Sequence, residues 1–251
     1  MSGHSKWASI KHKKGALDAK RGKIFTKIIK EITVAARIGG GDPDGNPRLR
    51  TAILTAKGQN MPGDNITRAI KKGTGELEGV QYEEVNYEGY GPGGAAIFLE
   101  AMTDNKNRTV SEIRAALGKA GGNLGENGCV AWMFEQKGFI VVKTEAKDED
   151  ELMELAIDAG ADDMQTVDEH YESTTAVENF EAVKKSLEDA NIAMETSEVT
   201  RIPANTVAVD EKKGKALLKL MDILDDHDDI QKAYSNFDIP DDVMTAILEG
   251  S

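Results

Sequence analysis

Between Lys23 and Ile38, apolar residues recur at Ile24, Ile28, Ile29, Ile32, Ala35 and Ala36, the spacing of one face of an α-helix. Lys23, Lys27, Lys30 and Arg37 occupy another face of it. "GGGDPDGNP" (Gly39–Pro47) breaks that pattern and predicts a new start, with Asn46 as cap and Pro47 in the first turn. Leu49, Ile53 and Ala56 then give the second helix its inner side, and Arg48, Arg50 and Lys57 point outward. Pro62 predicts the start of a third helix, with Ile66, Ala69 and Ile70 inward, Arg68, Lys71 and Lys72 outward, and a stop at Gly73. Three short helices packed on one another follow from these stripes. The first 20 residues carry no comparable periodicity, and an extended, mobile tail is expected there.

Beyond "GTGELEG" (Gly73–Gly79) the period shortens. "VQYEEVNYEGY" and "AAIFLEAM" predict two strands joined at "GPGG", then a helix capped by Asn107 or Thr109 with Val110, Ile113 and Leu117 inward, then a strand at "CVAWMF". From Gly138 to Arg201 the order is strand ("FIVVK"), helix (Asp148–Ala159), a strand pair near Met164–Val167 and Tyr171–Val177, helix (Phe180, Val183, Leu187) and strand ("AMETSEVT"). That βαββαβ order is a complete ferredoxin-like unit. A last helix (Ala216, Leu217, Leu220, Ile223, Leu224) and a strand near Ile230–Phe237 have no core of their own, so they are expected to close the earlier unit. The predicted fold class is therefore α+β and multidomain. An N-terminal three-helix domain (residues 1–78) precedes two α+β domains. One is discontinuous (79–136 plus 205–251), and the ferredoxin-like one (137–204) is inserted in it.

Charge sharpens this division. Residues 1–75 hold 16 Lys/Arg against 5 Asp/Glu, a net of +11, and the remaining residues hold 15 against 39, a net of −24. The overall −13 thus conceals a basic module joined to an acidic body. Cys129 is the only cysteine, which excludes an internal disulfide and any cysteine-based zinc site and fits a reducing compartment. With no apolar run of membrane-spanning length and no secretory-signal pattern, cytoplasmic location and no membrane partner are expected.

The motifs that suggest small-molecule chemistry are weak. Gly89–Gly94 matches G-x-G-x-x-G, but a strand follows it where a dinucleotide site needs a helix, so it reads as a hairpin turn. "DPDGN" (Asp42–Asn46) fails as a calcium loop, since Pro47 and Ile53 stand where Gly and Glu are required. "DDHDD" (Asp225–Asp229) reads as a solvated helix end. No nucleophile–base constellation is present, so neither enzymatic activity nor a cofactor or metal is expected.

The basic module carries the strongest signal. Lysines that neutralise phosphates release condensed counterions and bind nucleic acid whatever its sequence. The expected phosphate ligands are Lys6, Lys11, Lys13, Lys14, Lys20, Arg21 and Lys23, with Lys27, Lys30, Arg68, Lys71 and Lys72 as a second tier, and Trp7 and His12 as stacking or base-edge contacts. The alternative is that these faces dock on the acidic body of the same chain. A second unusual stretch is "AGGNLGENG", with four glycines in nine residues behind a helix start that holds Lys106 and Arg108. It is a candidate partner-contact loop through Lys106, Arg108, Asn123 and Asn127, or a backbone that needs positive φ. A protein partner on the acidic domains is compatible with this, and the oligomeric state is left open.

Five blocks, "GHSKWASIKHKKGALDAKRGKIFTKIIKEI", "NMPGDNITRAIKKG", "YEGYGPGGAAIFLEA", "TDNKNRTVSEIRAALGKAGGNLGENGCVAWMF" and "IPANTV", resemble the YebC/PmpR family over essentially the whole chain. Gly63 and Gly58 depart from the usual Lys and Ala. The resemblance implies a helical domain followed by two α+β domains, and a DNA-binding transcriptional regulator. It also implies an alternative, since a mitochondrial relative activates translation of cytochrome c oxidase and bacterial members have been linked to ribosomes stalled on proline-rich stretches. That alternative is a factor that binds ribosomal or transfer RNA and relieves stalling. DNA and RNA both remain open as targets.

Overall fold

The computed structural model describes residues 17–240 and 243–245, with side chains from residue 22 onward. Its first three helices are α1 (Leu17–Gly39), α2 (Pro47–Gly58) and α3 (Gly63–Thr74). Asn46 is the joint between the first two. Its Oδ1 accepts from the Leu49 amide at 3.1 Å to cap α2, and its Nδ2 donates to the carbonyls of Ala35 and Gly40, both at 2.9 Å. One buried side chain thereby satisfies orphan groups at the end of one helix and the start of the next. The core is Ile28, Ile32, Ala35, Leu49, Ala52, Ala56, Ile66 and Ala69, as the stripes predict except that Ala52 joins it and Ile24 is exposed. Two boundaries differ. Helix α1 begins at Leu17, so residues 17–20 are helical rather than tail, and α3 runs to Thr74, where Gly75 takes the left-handed conformation (φ 83°).

The central sheet contains β1 (Glu83–Tyr90), β2 (Ala96–Thr103), β3 (Asn123–Leu124) and β9 (Ile230–Ser235) in the order β3-β1-β2-β9. Strands β1 and β2 form the predicted hairpin, in register from Glu83↔Thr103 to Tyr90↔Ala96. Helices α4 (Lys106–Lys119) and α7 (Glu211–Asp225) pack on one face through Ile113, Leu117, Leu217, Leu220 and Leu224. The cap of α4 is Asn105, not Asn107 or Thr109: its Oδ1 takes the Arg108 amide at 3.0 Å, while Thr109 is drawn inward to other partners.

Strand β9 comes from beyond the second α+β unit, which is therefore inserted in the first. That unit comprises β4 (Phe134–Lys143), α5 (Glu149–Asp158), β5 (Ala161–Val167), β6 (His170–Thr175), α6 (Phe180–Asp189) and β7 (Met194–Pro203). Its sheet order β5-β6-β4-β7, antiparallel throughout, is the ferredoxin-like arrangement. Both helices bury Leu152, Ala156, Val183 and Leu187 against Ile140 and Val142.

Two expected strands are modified. "CVAWMF" is not a strand throughout: residues 131–133 form a 3-10 turn and β4 begins at Phe134. The backbone amides of Gly128, Val130 and Ala131 are bound to the Glu88 carboxylate instead of a ladder. The last strand breaks at Asn236, whose Oδ1 accepts from the Ala96 amide at 2.7 Å. Phe237–Asp238 (β10) then pairs in parallel with Val207–Ala208 (β8).

Candidate nucleic-acid interface and its anchorage

Helix α1 carries Lys23, Lys27 and Lys30 at i, i+4 and i+7, one stripe along its length. In the folded chain this stripe meets the acidic run after α7. Lys23 Nζ lies 3.4 Å from the Asp226 carboxylate, and Lys27 Nζ donates to the Asp225 carbonyl at 2.7 Å. Lys30 is buried, with Nζ 2.6 Å from Asp229 Oδ1 and further contacts to the carbonyls of Asp228 (2.9 Å) and Met102 (3.3 Å). The Tyr82 ring lies beneath it, 5.2 Å from centroid to ammonium.

Asp229, 3% exposed, is the centre of this anchorage. Its second oxygen accepts from Arg108 and Thr109, each at 2.7 Å, and from Thr103 at 3.2 Å. Burial alone would raise its pKa, but the hydrogen bonds from Lys30, Arg108 and Thr109 outweigh this and hold the carboxyl well below the usual carboxylate range. The expectation that Lys30 faces a phosphate is therefore corrected: its ammonium is enclosed and fully engaged within the chain. "DDHDD" is a helix end with Asp226 and Asp228 exposed, as expected, but its buried Asp229 is also the acidic half of an interdomain ion-pair network. A second tie is Arg48, which holds Glu31 on α1 and Glu84 on β1, each at 2.7 Å, the closer contact of each pair. The hydrogen bonds it donates to Glu31 and then to Glu84 raise its pKa.

Glu112, His227 and Asp229 place ligand-type atoms within 4.8 Å of one another. Asp229 and His227 are already engaged within the chain, and Glu112 meets His227. The Asp229 oxygens hold cations and hydroxyls, His227 Nδ1 accepts from the Asp229 amide at 3.1 Å, and His227 Nε2 meets Glu112 at 2.9 Å. This is a hydrogen-bonded cluster rather than a vacant coordination sphere.

Arg68, Lys71 and Lys72 project from α3 at i, i+3 and i+4, with Arg68, Lys71 and Lys72 on its outward side. Among the described residues their side chains form no ion pair or hydrogen bond. Gly73 brings α3 onto α1: a Cβ there would collide with the Thr33 carbonyl and lie 2.8 Å from Ala36 Cβ and 3.2 Å from the Arg37 amide. Arg37, also exposed and without such a partner among the described residues, has its backbone amide at this α1–α3 contact. Like charges three and four apart cost an isolated helix roughly 0.2–0.5 kcal/mol per pair, a cost that an anionic ligand reverses.

Lys6, Trp7, Lys11, His12, Lys13 and Lys14 lie outside the described residues. Lys20 and Arg21 sit in the first turns of α1, and their side chains lie outside the described set. At about 1.5 Å per residue the 23-residue α1 spans roughly 34 Å, so Lys20 and Arg21 enter at the end remote from Arg37. Arg37 has the outward spacing of its helix but is not among the ligands that the sequence singles out. Its contact with α3 is tertiary, and only Gly73 hints at it.

The second candidate stretch is built differently. Lys106 is paired with Glu83 at 2.6 Å and Arg108 with Asp104 and Asp229, so both serve the chain itself. Asn123 belongs to β3, opposite Tyr90, and Asn127 is exposed. The glycine-rich loop wraps the buried Glu88, whose oxygens accept from the amides of Gly128 (2.6 Å), Val130 (2.7 Å) and Ala131 (2.8 Å). Gly128 has φ 88°, a conformation that other residues avoid. Burial pushes the Glu88 pKa up, and these three amides overcome it and lower it.

Residues 5–76 match the family profile described as the TACO1/YebC protein N-terminal domain, and residues 82–237 match that of the TACO1/YebC second and third domain. The chain belongs to the TACO1/YebC family. A relative from Desulfosudis oleivorans, named "Probable transcriptional regulatory protein", is 61% identical over 246 residues, covering 98% of this chain and all of the relative. One of the same name from Syntrophobacter fumaroxidans is 61% identical over 248 residues, with 98% and 100% covered. The crystal structure of a conserved hypothetical protein from Aquifex aeolicus is similar, with a TM-score of 0.80, 50% identity, and 89% of this chain and 93% of that one covered. In this TACO1/YebC chain no helix of the described residues is long and apolar enough to cross a membrane.

Proposed function

We propose that this chain is a non-enzymatic regulator of gene expression that binds DNA through its helical module and acts on transcription from the cytoplasm. The observation that carries this reading is the exposed α3 face of Arg68, Lys71 and Lys72, unpaired among the described residues of a chain whose other described module cations, Arg37 and Lys57 apart, are committed internally. The basic residues up to Arg21 extend the same positive module. The relatives' shared name supports a transcriptional role.

Phosphate contacts of this type position a protein without reading bases. Of Asn, Gln and Arg, α3 holds only Asn65 and Arg68, which is no base-contacting row, and Asn65 is half-buried. Selectivity between promoter and scrambled duplex is accordingly small. The decisive experiment is a salt titration of duplex binding for R68E/K71E/K72E against the unmodified chain. The slope of log K against log salt should flatten by about 0.9 for each phosphate that is no longer neutralised. An unchanged slope would move the interface away from α3.

One observation favours RNA as the target. The module is clamped to a body of net −24 by Lys23, Lys30 and Arg48, and a long duplex laid across it would run along acidic surface. A ribosome-associated factor, whose basic segment meets a compact RNA element, accommodates this. In-cell crosslinking with sequencing of both recovered nucleic acids separates the two: promoter peaks support the transcriptional reading, and reads concentrated in ribosomal or transfer RNA replace it.

A further inference from the structure

Helices α5 and α6 cover one face of the ferredoxin-like sheet, and the other face forms the wall of an open groove of about 730 Å³. That volume lies within the range of small-molecule clefts. Phe139 and Thr200, both buried, form its floor, and Glu135, Asp163 and Glu172 contribute carboxylates. Lys137 is the one basic residue in the lining, and its ammonium is already 3.4 Å from Asp162 and 3.9 Å from Glu135.

One rim of the groove, at residues 203–206, is tied to the start of β4 by the Ala204 amide, which donates to the Met133 carbonyl at 2.8 Å. Beside that bond stands Trp132, 70% exposed. It is three residues along the chain from Glu135, where the turn passes into β4. Its backbone is not loose: Glu88 pins the preceding amides, and both Trp132 Nε1 (3.2 Å) and Tyr90 OH (3.1 Å) donate to the Cys129 carbonyl. A rigidly held indole with this exposure is the kind of side chain that anchors protein interfaces.

We propose that this groove and Trp132 form a docking site for a basic segment of a partner protein, an extended stretch bearing Arg or Lys. The carboxylates of the lining exceed its single, self-paired cation, so phosphate is repelled here. An arginine over the indole gains a cation–π contact while its neighbours meet Glu135, Asp163 and Glu172. The inference rests on the acidic body alone and holds whichever nucleic acid the helical module binds.

The test uses the full chain carrying Trp7→Phe, which leaves Trp132 as its only tryptophan. The probe is a nonapeptide of alternating Arg and Gly, with its Glu–Gly counterpart as control. The Arg peptide should change the Trp132 emission saturably at 1:1, and the Glu peptide should not. E135Q/D163N/E172Q should weaken binding about tenfold, and Trp132→Ala, followed with labelled peptide, about fivefold. E181Q/E188Q/D189N, on the exposed side of α6 behind the sheet, should change it by less than about twofold. Equal weakening in both triple variants would mean general attraction to the acidic body and would overturn the proposal. Binding of the Glu peptide, or an emission change with a single-stranded oligonucleotide in place of the Arg peptide, would overturn it too.

Discussion

Replacing Asp229 by Asn leaves the Lys30 ammonium, its side chain only 6% exposed, with two carbonyls, an aromatic face and no counter-charge. Removing one partner of a buried pair costs about 3–5 kcal/mol, because the other charge stays buried and uncompensated. The reverse change is milder. Lys30→Met leaves Asp229 with Arg108 and Thr109 at 2.7 Å and Thr103 at 3.2 Å, so the cost is that of one charged hydrogen bond, about 1.5–3 kcal/mol. Against a total stability of about 5–15 kcal/mol both effects are measurable, and their order follows from geometry alone. In urea, with a slope of about 2 kcal/mol per molar, Asp229→Asn should lower the midpoint by roughly 1.5–2.5 M, and Lys30→Met by less. The double variant K30M/D229L removes both charges and should recover part of the stability lost in Asp229→Asn, the remainder reflecting the Thr103 and Thr109 hydroxyls that lose an acceptor. If Lys30→Met proved the more damaging, or both cost under about 1 kcal/mol, the assignment of Asp229 as the centre of the anchorage would be wrong.

The same carboxylate sets an acid limit. Its folded pKa is depressed, so its contribution is complete above the unfolded value of about 3.9 and is lost progressively as pH falls below it. Stability should drop there in the native chain, and the drop should be shallower in Asp229→Asn. Arg48→Ala, by contrast, removes partly exposed ion pairs and should cost no more than about 1 kcal/mol in the same titration. Glu88→Gln puts an NH2 against backbone donors. It should cost about 1–3 kcal/mol and speed hydrogen exchange at Val130 and Ala131, whereas unchanged exchange there would contradict the loop's dependence on Glu88.

Much of the architecture is legible in the residues because it depends on local rules. The Asn46-Pro47 start, the Pro62 start, the hairpin at Gly91–Gly94 and the βαββαβ order each follow from caps, turn glycines or hydrophobic period. What the residues do not disclose is tertiary. Lys30 has the outward spacing of a solvent-facing lysine, and its partner lies 199 positions away. The clue is complementary: a lysine stripe at i, i+4, i+7 and one isolated acidic run at Asp225–Asp229. Asn105 is obscured as a cap because Asn107 and Thr109 stand nearer the apolar stripe. The 131–133 turn is hidden because the amides around it are claimed by Glu88, a residue that reads as the polar face of a strand. The α3 cations are legible as an outward face, while the approach of Arg37 requires the packing of Gly73 against Thr33 and Ala36.

The discontinuous sheet also imposes a timetable on the growing chain. Strand β2 is made early, yet the Asn236 side chain that caps its first amide lies 140 residues further on. At about 5–20 residues per second, that stretch takes roughly 7–30 s to synthesise. Until then β2 presents an apolar, hydrogen-bonding margin to solvent, and Lys30 waits for Asp229. The ferredoxin-like insert, complete by Pro203, has all its strands in hand well before. The helical module's seat is thus completed only after the insert. Truncation before residue 235 should leave a folded insert flanked by an adhesive half-sheet, the form of this protein most in need of a chaperone.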